Sequence, residues 1–140
     1  MKTFIITTVI IVITAFLSGE VKAGEDQYEQ AAENYIENLN NGNEGVVAAS
    51  LMQMVALSNY TDKYDKQMAL ELQDFIRQTE NAELEYKAYL VLVALNNSSI
   101  TESIEISEIQ PEAFFTNLAE TVEGKLIHDP ELTTEAQLEE

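Results

Sequence analysis

The sequence predicts an all-α protein of about five antiparallel helices, arranged as stacked helical hairpins or a small bundle. Three observations predict it. From Glu25 to Asn97 the apolar residues recur at helical spacing instead of alternating. Clusters of Asn, Gly, Ser and Thr interrupt that pattern at intervals suited to hairpin turns. One pattern of helical residues also recurs 38 positions further along the chain.

The 140 residues suffice for one ordinary domain. They include 25 Asp+Glu against 7 Lys+Arg, a formal charge of −18, with no Cys, no Trp and a single His. Without Cys there is no disulfide scaffold, no cysteine nucleophile and no Cys/His zinc site. The charge argues against gripping nucleic acid or an anionic bilayer, since both need a positive surface.

Residues 1–23 read as a cleaved export signal. Lys2 supplies a short positive start, Phe4 to Leu17 an apolar run broken only by Thr, and Val21-Lys22-Ala23 a cleavage site ending at Ala23. That run is about 14 residues, while a bilayer span needs roughly 20. Export to the periplasm or the extracellular space follows, with no membrane attachment after cleavage. The mature chain divides into a helical domain over 24–127 and an acidic tail over 128–140, which its composition predicts to be mobile.

Within the domain, Tyr28, Ala32, Tyr35 and Leu39 form one stripe of a first helix, from about Asp26 to Asn40. Asn40-Asn41-Gly42-Asn43 ends it. A second helix begins near Glu44, carries Val47, Leu51, Met54 and Val55, and stops at Ser58-Asn59-Tyr60-Thr61. Asp62 is placed to cap a third, with Tyr64, Met68, Leu72 and Phe75 or Ile76 along its face. Asn81 opens a fourth, whose octet Ala88 to Leu95 is apolar on every side and belongs in the middle of a bundle. Leu51, Met54, Leu90 and Leu92 are the expected core.

Asn43–Asn59 laid over Asn81–Asn97 matches Val46 with Leu84, Met52 with Leu90 and Met54 with Leu92. It ends on Val55-Ala56-Leu57-Ser58-Asn59 against Val93-Ala94-Leu95-Asn96-Asn97. Upstream, Tyr35-Ile36 meets Phe75-Ile76 when the first loop has two extra residues. The hairpin units therefore cover about 26–60 and 62–97. Their length resembles the helix-pair units of α-solenoids, the HEAT-like kind most of all. The resemblance spans the middle half of the chain, rests on apolar spacing and carries no family motif. A degraded third unit would occupy about 100–127, with Pro111 opening a fifth helix that carries Phe115, Leu118, Val122 and Leu126.

Catalytic constellations are thin. His128 has no folded wall to bring it a nucleophile, and reads as a surface histidine at a helix exit. The five glycines are scattered, so there is no phosphate loop. Asn40-Asn41-Gly42-Asn43-Glu44 lacks the alternating Asp and the closing Glu of a calcium loop. No cofactor and no metal site is expected. With this many acids, carboxylate pairs arise in any fold and carry no information.

One pattern carries more. Glu25, Glu29, Glu33 and Glu37 recur every four residues, although like charges at that spacing oppose a helix by roughly 0.2–0.5 kcal/mol per pair. No Lys or Arg in that helix relieves them. A solvated face for solubility is the simpler reading. The functional one makes Glu29, Glu33 and Glu37 a docking strip for a basic peptide, a basic protein or divalent ions. The leading expectation is an exported, non-enzymatic interaction module of this kind. The alternatives are a helical pocket for a small apolar ligand, from the Met and Tyr content beside the apolar fourth helix, and, last, a carboxylate hydrolase.

Overall fold

Six helices form in the computed structural model, which describes residues 24–106 and 110–128. They are α1 (Glu25–Asn38), α2 (Glu44–Ser58), α3 (Asp65–Gln78), α4 (Ala82–Leu95), α5 (Ser98–Thr101) and α6 (Pro111–His128). The expected export signal over 1–23 and all but the first residue of the expected tail over 128–140 lie outside the described residues. Among the described residues there is no strand. The protein is a small all-α bundle.

Asparagines start the two central helices. The Asn43 side chain accepts from the Gly45 amide at 2.9 Å, and Asn81 accepts from the Glu83 and Leu84 amides, both at 3.0 Å. Caps of this type are worth about 0.5–2 kcal/mol each. Asn81 also donates through Nδ2 to Glu44 at 2.8 Å, which joins the first turns of α2 and α4. The expected Asp62 cap on α3 is corrected by the structure. Tyr64 holds the N-cap position, without a side-chain cap. Asp62 contributes only its carbonyl, which accepts from the Asp65 amide. The cause is the Tyr64 ring: burying it delays the helix by two residues, and its hydroxyl donates to the Glu25 carbonyl oxygen at 3.4 Å.

The helix bounds follow the internal repeat. α3 begins and ends 40 residues after α1, and α4 begins 38 residues after α2, so the two-residue difference lies in the first loop. The hairpins stand side by side. α1 packs on α2 and α3 on α4, while α2 and α4 pack on each other at the centre and α1 meets α3 lightly. α5 and α6 come from the segment expected to form a degraded third unit, and α6 touches both α2 and α4.

The core lies between these helices. Leu51, Met54, Val55, Met68, Leu72, Val91, Phe114 and Leu118 are fully buried, and Phe114 meets Phe115 edge-on at 5.0 Å. Leu90 is buried as expected, whereas Leu92 is only partly so. Leu92 shares its side of α4 with Glu85 and Asn96, seven residues before it and four after, and both are exposed.

Candidate functional site

α1 is built to show acid on one side and bury the other. Ala32 and Leu39 are buried, and Tyr28, Tyr35 and Ile36 rest against the core. Glu25, Glu29, Glu33 and Glu37 are all exposed. Four residues of helix rise about 6 Å, so the last three carboxylates sit on successive turns at roughly that spacing. Glu25 and Asp26 lie in the first turn, where the helix dipole favours acid, but no basic residue stands in the last turn beside Glu37.

The N-terminal end of this face is fastened to the turn between α2 and α3. Lys63 forms an ion pair with Glu25 and stands 5.3 Å over the Tyr64 ring. The hydrogen bond from Lys63, and then its charge, lower the Glu25 carboxyl below its ordinary value; the same pairing raises the Lys63 ammonium. Both groups are exposed, so the pair adds little stability. Tyr28 stacks on Tyr60 at 6.5 Å, although Tyr60 itself is largely exposed. The pairing of Glu25 and the exposure of Tyr60 escape a reading of periodicity, because both depend on a loop folding back across α1.

The other ion pairs lie elsewhere. Arg77 pairs with Asp74, Lys87 with Glu83, and Lys125 donates to the Ser99 carbonyl. Among the described residues, Glu29, Glu33 and Glu37 have no cationic partner. No group of three or more His, Asp or Glu side chains that could hold a metal ion occurs among the described residues. Nor is any described helix long and apolar enough to cross a membrane.

A second polar feature is a cleft of about 570 Å³ where the first turns of α2, α4 and α6 converge. Glu44, Glu83 and Glu112 line it with Lys87. Lys87 is largely buried, pairs with Glu83 and lies 5.4 Å from the centre of the Phe115 ring. The aliphatic stem and charged head of this lysine thus join α4 to α6. Met54 and Met68, part of the composition that suggested an apolar pocket, are core residues.

The joint between the hairpins holds a partly buried carboxylate. Asp65 accepts from the Ser58 hydroxyl at 2.7 Å through Oδ2, while its Oδ1 is buried and accepts from none of the described residues. Burial pushes this carboxyl above its ordinary range, the Ser58 bond pulls it down, and nearby Asp62 adds to the rise. A raised folded-state pKa means that the native chain holds its proton more tightly than the unfolded one. Ionisation of Asp65 therefore opposes folding, fully above its folded pKa and not at all below its unfolded value. The stability of Asp65→Asn relative to wild type should rise as the pH climbs from about 3 to about 7. Urea titrations at several pH values measure this, and a difference independent of pH would contradict it.

Comparison with protein-family models, with curated proteins and with solved structures finds no match for this chain.

Proposed function

We propose that the protein is an exported, non-enzymatic helical interaction module that docks a basic peptide or protein on the acidic face of α1. One observation carries the reading. Glu29, Glu33 and Glu37 stand exposed on three successive turns and have no cationic partner among the described residues. Each adjacent pair opposes the helix by roughly 0.2–0.5 kcal/mol. Glu37 adds an unfavourable charge near the C-terminal end, where the dipole disfavours acid. A row of cations on a partner would relieve both terms on binding. The spacing of about 6 Å is within reach of successive Lys or Arg side chains on a helix or strand.

Replacing Glu33 and Glu37 by Gln removes two repelling pairs, Glu29–Glu33 and Glu33–Glu37. The folded protein should gain a few tenths to about 1 kcal/mol, measured by urea unfolding. Binding of the basic partner should weaken, and wild-type binding should fall as salt rises. A partner whose affinity ignores both changes would refute the proposal. Export has its own test. Intact-mass measurement of the protein from culture medium or envelope should find a chain beginning at Gly24 or within a few residues. A membrane-bound product retaining Met1 would refute it.

A further inference from the structure

The register of the two hairpins identifies a second surface, on α4, away from the acidic face of α1. In the first unit the stripe Ala48, Leu51 and Val55 is buried. It begins at Ala48, which shares the cleft with Leu84 and Lys87 of α4, and α2 packs closely on α4. Helical periodicity continues the side of α2 that meets α4 from Ala48 through Leu51 and Val55. The repeat offset of 38 carries those three positions to Tyr86, Tyr89 and Val93. There the stripe faces outward: Tyr86 and Tyr89 are each 51% exposed, and Val93 is partly buried. In a stacked array this is the face on which the next unit would sit.

A terminal unit protects such a face by making it polar. Glu85, which takes the place of buried Val47, does this. Two tyrosines one turn apart do not. Tyrosine offers a large, stiff, amphipathic contact area and is enriched at interfaces. The charge selects the kind of occupant. The chain carries −18, so a second copy would meet strong repulsion, and Glu85 borders the tyrosines with further negative charge.

We infer that the Tyr86–Tyr89 face of α4 docks an amphipathic helix of a cationic partner, seated as α4 is seated on α2. This surface is distinct from the α1 face, and its test does not depend on the reading given for Glu29, Glu33 and Glu37.

The repeat supplies the probe: a labelled synthetic peptide of Asn81–Asn97 carrying Glu83→Lys and Glu85→Lys, which presents the α4 apolar face with a cationic first turn. Fluorescence anisotropy with the purified protein should show saturable binding, and a scrambled peptide of the same composition should not bind. Tyr86→Glu together with Tyr89→Glu should weaken binding by at least about tenfold. Tyr60→Glu, on the turn between α2 and α3, should change it by less than about twofold. Amide shifts in the wild-type protein should localise to α4 around Tyr86, Tyr89 and Val93, a readout that needs no variant. No saturable binding, or binding that ignores the tyrosine substitutions, would overturn the inference. So would a concentration-dependent dimer abolished by the same two substitutions, which would assign the face to a second copy.

Discussion

Phe114→Ala should destabilise the protein by about 3–5 kcal/mol, the largest loss expected from any single substitution considered. Phe114 is fully buried and is the largest of the fully buried side chains. It belongs to α6, which packs on both α2 and α4. Truncating it leaves a cavity between the hairpins and the helix that joins them. Small domains are held by only about 5–15 kcal/mol, so the variant should be near the limit of folding at room temperature. Urea unfolding followed by far-ultraviolet circular dichroism should still show one transition, at a much lower midpoint. A loss below about 1 kcal/mol would mean that α6 is peripheral and that the hairpins stand without it.

Leu51→Ala should cost about 2–5 kcal/mol, because Leu51 is fully buried on the central helix α2. Leu90→Ala, on the neighbouring helix, should fall in the same range. Leu92→Ala should cost clearly less than either, since that side chain is only partly buried beside exposed Glu85 and Asn96. This graded series tests the orientation of α4 about its own axis. If Leu92→Ala proved as costly as Leu90→Ala, the helix would be turned differently from the arrangement described.

Much of the fold is legible in the sequence, for identifiable reasons. The stripe Tyr28, Ala32, Tyr35 and Leu39 has one period and one face, and the structure buries or half-buries all four. Asn81 announces a helix start because a side-chain oxygen there can accept an otherwise orphaned amide, and Asn43, legible only as part of a stop, caps α2 in the same way. Asp62 is equally suited to capping, yet tertiary packing of Tyr64 overrides it. α4 defeats periodicity in another way. Its apolar octet looks the same on every side, so only contacts with α2, α3, α5 and α6 decide that Leu90 is inside and Tyr89 half outside. The bridging position of α6 depends on faces far apart in the chain, and no local pattern encodes it.

The candidate site divides similarly. The four-residue recurrence of Glu29, Glu33 and Glu37 is a local property, legible in the order of residues alone. That Glu25 is drawn off by Lys63 while the other three have no cation among the described residues depends on which loop folds across α1. The outward stripe of Tyr86 and Tyr89 emerges only when the repeat register is combined with burial.

The central claim is that the α1 face, and not bulk negative charge, recognises a basic partner. The most direct measurement compares two triple variants with the same loss of charge, each titrated with a labelled arginine-rich peptide. One replaces Glu29, Glu33 and Glu37 by Gln; the other replaces Glu71, Glu120 and Glu123, which are also exposed. Docking on α1 predicts that the first variant weakens binding by about tenfold or more and the second by less than about twofold, both effects shrinking as salt rises. Equal weakening by the two variants would show that net charge alone attracts the peptide, and would contradict the assignment of a docking surface to α1.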